Sequence, residues 1–399
     1  MNLQSGYPFW LIKDGLPYSF PKLYQDLETE VVILGAGISG ALMRYYLVNA
    51  GINCITVDSR SVGLGSSCAS TSLLQYEIDV PLWELSAMIG EEKAQRAYKC
   101  CDYAIEKLGK ITKKLDFDEF KFKDSLFYAA YKKDVPNLKK EFEARKKAGF
   151  KVEYLNENQV TTAFGFAAPA AILSRHGAQT NAYMLTHKLL QYKKSQAAVY
   201  DRTPIVKVSH QSQGITLQTE GNYTIKAKKI IYATGYEVTE MFDKKIVDLK
   251  STYAVISDQY EDDRFWKNNV LLWNTANPYL YLRTTDDRRI LVGGRDEDFY
   301  NPKKRDALIA KKSKQLVNDF NKLFPKLNFK PEFSWAGTFG ETKDGLPYIG
   351  AYDKFPNAYF ALGFGGNGIT FSLMAAEIIT QLLLGKQHKD AELFSFNRT

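Results

Sequence analysis

"TEVVILGAGISGALMRYYLVNAGINCITVDSR", residues 29–60, is the stretch whose reading decides the fold. Val31–Leu34 is a continuous apolar run, suited to a strand buried on both faces. Gly35, Gly37 and Gly40 follow as G-x-G-x-x-G, opening a helix expected over 38–50 and capped by Gly51. A second buried strand, Ile52–Val57, ends at Asp58. In such a βαβ unit the first glycine permits the tight turn. The second lets the backbone approach a pyrophosphate, and the third allows close helix–strand packing. The helix start at Ile38 and Ser39 offers unpaired N–H groups and a positive dipole end. Asp58, followed by Ser59 and Arg60, stands where a carboxylate can accept hydrogen bonds from ribose hydroxyls. A glycine turn used only for packing would leave Asp58 unexplained, so the unit reads as dinucleotide-binding.

Two further segments bear on which dinucleotide it is. "KKIIYATGY", 228–236, is an apolar strand ending in Ala233, Thr234 and Gly235. "GFGGNGI", 363–369, is a second glycine-rich strand-to-helix turn. That turn makes another anion-stabilising helix N-terminus. A nicotinamide enzyme has little use for it. A flavin does, because its reduced ring can be an anion. The cofactor expected is therefore FAD. An NAD-linked Rossmann dehydrogenase is the alternative, and it leaves the second turn without a purpose.

The bulk properties set the outer limits. A chain of 399 residues is long enough for two or three domains with a sizeable core. Its 45% apolar and 25% charged content is ordinary for a soluble globular protein. The net charge of +8 is dispersed in small clusters such as Lys139–Lys140, without the dense basic stripe a nucleic-acid surface needs. Four cysteines and four histidines show no metal-site spacing, so no metal is expected. With no signal pattern and no apolar run of membrane-span length, the expectation is a reduced, cytoplasmic protein without a membrane span.

Together these motifs resemble the D-amino-acid oxidase and glycine oxidase-like family of FAD-dependent oxidoreductases (DAO family). The likeness runs from about residue 29 to the C-terminus. It covers the glycine motif with Asp58, "GLGSSCASTSLLQ" (63–75), "ATGY" (233–236), "WAGTFGETKDGLPYIG" (335–350) and "GFGGNGI", in the family's order. The resemblance implies that Ser66 and Ser67 meet the FAD phosphates. It implies that Thr71, Ser72 and Leu73 pass beside the flavin ring, although a plain small-residue loop is the blander reading of that segment. Val206 matches a residue whose backbone meets the adenine. Phe364, Gly365, Gly366, Asn367, Gly368, Ile369 and Thr370 match the loop and helix start beside the flavin's pyrimidine end. Some relatives attach FAD through a Cys at the position of Gly337, or through a His around 66–70. This chain has neither, so FAD is expected to be non-covalent.

The fold expected is α/β. A doubly wound, Rossmann-like FAD-binding domain takes 29–95, 175–238 and 335–399. A mixed antiparallel-sheet and helix substrate domain takes 96–174 and 239–334. Residues 1–28 read as an irregular arm, 303–323 as one long helix, and 335–350 as the turn crossing between the domains.

The chemistry implied by the resemblance is oxidation of a C–N bond in an amine or amino acid, with oxygen or another carrier reoxidising the flavin. A flavin-binding protein without turnover is a further alternative. Tyr281, in "YLYLRT", matches a substrate-contacting tyrosine; a buried core aromatic is its plainer reading. Period-two alternation puts Arg283 on the same strand face, where a guanidinium could pair with a substrate carboxylate. Arg295 reads as a surface salt-bridge partner. Glycine oxidase-like relatives have an arginine that clamps the substrate carboxylate where this chain has Phe339, and a second arginine of that family falls at Gly366; both are missing here. An unpaired carboxylate in an apolar pocket is costly, so Phe339 argues against glycine or sarcosine as the preferred substrate.

Overall fold

In the computed structural model, which describes residues 1–243, 245–263 and 265–398, the run at 31–34 lies at the centre of a sheet. Strand Leu27–Leu34 pairs in parallel with Cys54–Val57 on one side and Thr224–Tyr232 on the other. Its alternation feeds two cores. Val31 and Ile33 pack among helices Ile38–Asn49, Glu91–Lys114 and Gly368–Leu383, whereas Val32 and Leu34 face a second apolar cluster. Burial on both faces is what the unbroken apolar run anticipates. Strand Thr224–Tyr232 keeps Leu27–Leu34 beside it throughout. Its other edge pairs first with the antiparallel Gly214–Thr219 and then with the parallel Ala358–Leu362. The glycine motif and the segment 363–370 are thereby brought to the same end of one sheet, beyond the carboxyl ends of its parallel strands, where α/β proteins bind ligands.

The second sheet has nine strands among the described residues and is mainly antiparallel. Its centre is Asp248–Ser257, Ile290–Glu297, Leu280–Thr284 and Leu271–Asn274, with "YLYLRT" and "RILVGG" paired as a hairpin. Helix Ile309–Leu323 covers one face, burying Leu316 and Phe320. The opposite face looks toward the first sheet.

Three local expectations are corrected. Residues 1–28 are not irregular: Gln4–Gly6 adds an edge strand beside Trp335–Gly337, and Phe9–Asp14 is a helix. Buried Leu3, Phe9 and Trp10 anchor this arm. Residues 303–323 form two helices, Pro302–Ala307 and Ile309–Leu323, separated at Leu308. The stretch from 335 begins as strand, not turn, because Pro331–Glu341 pairs along its length with Asp248–Ser257. The boundary expected at residue 335 therefore falls inside a strand of the larger sheet. Thr399, at the other end of that segment, lies outside the described residues. No helix among the described residues is long and apolar enough to cross a membrane.

Candidate active site

A cavity of about 890 Å³ lies between the two sheets, in the upper part of the range for small-molecule and cofactor sites. At one end it is lined by Gly35, Gly37, Ile38, Ser39, Asp58, Ser59 and Arg60, together with Ala233, Thr234 and Gly235. Ser66, Ser67, Thr71, Ser72 and Leu73 form its side, and Phe364 through Thr370 close round from the second glycine turn. Beyond that turn it reaches Trp83, Phe127, Trp273, Tyr279, Tyr281 and Phe339.

The glycines are where the backbone must crowd. Gly35 has φ +103°, and a Cβ there would lie 2.4 Å from the Ala233 carbonyl oxygen. Gly37 approaches the Ser67 hydroxyl, which accepts the Ile38 N–H at 2.9 Å. Gly40 does not line the cavity. It packs so tightly that a Cβ would fall 1.8 Å from the Gly35 carbonyl oxygen, the close helix–strand contact expected of the third glycine. Ser39 and Ser372 join the two helices by a 2.7 Å hydroxyl contact.

Asp58 holds the strand-to-loop corner. Its Oδ2 accepts the Ala36 N–H at 2.7 Å and its Oδ1 the Arg60 N–H at 2.8 Å. Burial pushes its carboxyl up, against the lowering effect of those two N–H groups. Arg60 itself pairs with Glu237 at 3.0 Å.

The segment 69–72 is held from behind by buried side chains. Trp10 Nε1 donates to the Ser70 carbonyl at 2.7 Å and Trp335 Nε1 to the Ala69 carbonyl at 2.9 Å. Arg283 Nη1 donates to the carbonyls of Thr71, Ser72 and Thr180 at 3.1, 3.0 and 2.8 Å. Its guanidinium stacks over Trp10, with 5.3 Å to the ring centroid. This corrects the expectation for Arg283, which does not line the cavity and is spent on backbone carbonyls. Tyr281 from the same strand does line it. Ser72 sits at φ +56°, a left-handed conformation uncommon outside glycine, which those contacts maintain.

The second turn is stitched to the segment that follows residues 69–73. Asn367 Nδ2 donates to the carbonyls of Gln75 and Glu77 at 3.0 and 2.9 Å, and the Gly366 N–H donates to Asp79 Oδ2 at 2.8 Å. Gly337 and Phe339 face the cavity from strand Pro331–Glu341. Val206, expected to act through its backbone, has an exposed side chain, and its neighbours Thr203 and Ile205 line the cavity. Arg295 pairs with Asp319 through Nε and Nη2, at 2.7 and 2.6 Å. Among the described residues no group of three or more His, Cys, Asp or Glu is placed to hold a metal ion.

Sequence reasoning missed Asp79, Tyr279, Trp273 and the buried Arg145. Asp79 lies in the loop between strand Leu73–Leu74 and helix Leu82–Ile89, Tyr279 just before a strand, and Trp273 and Arg145 within a strand and a helix, so nothing local marks any of them. The long-range signal was the second glycine turn, which must pack against something.

Two glycine turns, a carboxylate at the end of the second strand and a small-residue loop along one side form a cradle that a dinucleotide with a flat ring system fits. The class so defined is a dinucleotide-binding flavoprotein. The chain belongs to the DAO family, FAD dependent oxidoreductase, whose model matches residues 30–382. Gamma-glutamylputrescine oxidoreductase of Escherichia coli (strain K12) is 22% identical, with 94% of this chain and 87% of that protein covered. Glycine oxidase of Bacillus subtilis (strain 168) is also 22% identical, with 92% and 96% covered. The crystal structure of L-proline dehydrogenase from P. horikoshii superposes with a TM-score of 0.78 at 19% identity, covering 93% of this chain and 97% of that one.

Proposed function

We propose that this FAD-dependent oxidoreductase oxidises the C–N bond of an amine or amino acid other than glycine or sarcosine. The observation that carries the reading is Phe339. It lines the cavity, half-buried, at the position where glycine oxidase-like relatives have a carboxylate-binding arginine. The Escherichia coli relative named for gamma-glutamylputrescine fits an amine substrate. In this reading the nine-stranded sheet with its helices is the substrate part, and the parallel sheet with its glycine turns is the FAD part.

FAD, when bound, supplies the two-electron acceptor. The chain supplies position and environment. The helix starts at Ile38 and Gly368 direct N–H groups and positive dipole ends into the cavity. Asp58 is placed for ribose hydroxyls, Ser66 and Ser67 for phosphate oxygens, and the backbone near Ile205–Val206 for the adenine. Thr71–Leu73 gives a rigid wall for the ring, with Arg283 holding the Thr71 and Ser72 carbonyls and Trp10 and Trp335 holding those of Ser70 and Ala69 just before it. Tyr281, Tyr279 and Phe339 enclose the far end and exclude water from it. Among the described residues no arginine at that end is free for a carboxylate: Arg283 is spent on backbone carbonyls, and Arg145, which lines the cavity, is paired with Glu77 and Glu141. Oxygen or another carrier takes up the electrons, and a cytoplasmic location suits the four free, buried cysteines.

The test is anaerobic bleaching of the bound flavin by a panel of amines and amino acids. At least one larger amine should bleach it, and glycine and sarcosine should be poor. Phe339→Arg should keep its flavin and gain about tenfold for small amino acids over amines, the worth of one charged hydrogen bond. Efficient glycine oxidation by the native protein would overturn the reading. A flavoprotein without turnover would bleach with nothing. Separately, acid precipitation should leave the protein colourless and the yellow flavin in solution, because Gly337 stands at one tethering position and no His lies near 66–70. A yellow pellet would mean a covalent bond.

A further inference from the structure

The second glycine turn carries a carboxylate whose charge is not met. Asp79 accepts the Gly366 N–H, and no cation pairs with it among the described residues. A side chain at 366 would put its Cβ 2.6 Å from Asp79 Oδ1, and one at 365 would meet Oδ2 at 2.3 Å. Asp79 therefore fills the space from which an arginine at 366 would reach the substrate. Where the glycine oxidase-like pattern places a positive charge, this chain places a negative one.

The rest of the cavity agrees in sign. Eight carboxylates and four cationic side chains line it, although the chain as a whole is +8. Three of the four cations are already engaged: Arg60 with Glu237, Arg145 with Glu77 and Glu141, and Lys250 with Glu341 and Asp298. The fourth, Lys343, is exposed. Tyr279 lies against the same turn, its hydroxyl 3.5 Å from where a Gly366 Cβ would be. Trp273, stacked on Phe127 at 3.8 Å, and Trp83 continue the wall, with Arg145 and Lys140 already over their rings at 5.9 and 4.9 Å.

We propose that Asp79 anchors a positively charged group of the substrate, at the end where an α-amino acid would present its carboxylate, so that the enzyme prefers an amine carrying a second cationic centre. This rests on the amine-oxidising reading above. Asp79 is exposed to the open cavity; the protein walls around it push its carboxyl up to about 6, with Glu341 adding to the rise and the Gly366 N–H and Lys250 opposing it. A cation seated beside it would relieve that cost.

The experiment titrates the visible spectrum of the anaerobic holoenzyme with 1,4-diaminobutane, 1-aminobutane and 4-aminobutanoate. The diamine should bind at least tenfold tighter than either of the others. Asp79→Asn keeps an oxygen for the Gly366 N–H and should keep its flavin, but lose that advantage. The proposal is overturned if the native protein binds the monoamine or the amino acid as tightly as the diamine, or if Asp79→Asn retains the preference. The native comparison decides even if the variant does not fold. Bleaching is scored separately. Binding through Asp79 without bleaching by any amine would sink the amine-oxidising reading and leave Asp79's role standing, while bleaching without a diamine preference would do the reverse.

Discussion

Gly40→Ala should yield protein that is insoluble or purifies without flavin. The added methyl would sit 1.8 Å from the carbonyl oxygen of Gly35, which is backbone and cannot swing aside. Relief requires helix Ile38–Asn49 to lift from strand Leu27–Leu34. That helix packs on Gly368–Leu383 as well, so lifting it disturbs both glycine turns at once. Overpacking against a fixed partner costs on the order of 3 kcal/mol or more. The Gly35–Ile38 loop, which meets the cavity, moves with it. Gly37→Ala offers a graded comparison. Its Cβ would be 3.0 Å from the Ser67 hydroxyl, a side chain that can shift, so this variant should fold and bind flavin more weakly. The flavin-to-protein ratio from the visible spectrum orders the series. A Gly40→Ala protein with full flavin content would refute the assignment of this contact.

The βαβ unit was legible because everything that specifies it is local. A four-residue apolar run, three glycines and an acid fall within thirty residues, and the cores on either side of Val31–Leu34 follow from alternation. The stretch 335–350 was misleading for an equally physical reason. Its glycines suggested a turn, yet Gly340 lies within a strand because neighbours press on it: a Cβ there would meet Val247 Cγ1 at 2.3 Å and the Tyr236 ring at 2.8 Å. Nothing nearby in sequence announces that pressure. Arg283 shows the same limit. Alternation predicts the face it shares with Tyr281, but not that its long side chain reaches carbonyls more than a hundred residues away. Asp79 is the extreme case. Its significance depends on Gly365 and Gly366, 287 residues on for the bonded pair, and only the assembled site shows that a carboxylate occupies the place of an expected arginine.

Arg145→Met should destabilise the protein by about 3–5 kcal/mol, the cost of stripping a buried charge cluster of one member. Arg145 and its partners Glu77 and Glu141 have side chains only 1% exposed. Arg145 donates from Nε to Glu141 at 2.6 Å and from Nη1 to Glu77 at 2.9 Å, with Tyr76, Phe127 and Trp273 ringing the guanidinium. Methionine replaces the bulk but leaves two carboxylates facing each other without a cation. Glu77 carries the pH signature. Burial already pushes its carboxyl up, with Arg145 as the main opposing influence. Removing Arg145 raises it further above its unfolded value, so the variant's folded state binds a proton that its unfolded state releases. The deficit should therefore be largest at neutral pH and narrow as the pH falls. Urea midpoints of the holoprotein across that range measure it. Adding Glu77→Gln and Glu141→Gln to Arg145→Met should recover most of the loss at neutral pH, because the penalty lies in unpaired charge and not in missing volume. Midpoints that stay low in the triple variant would mean that Arg145 acts through packing against its three aromatic neighbours instead.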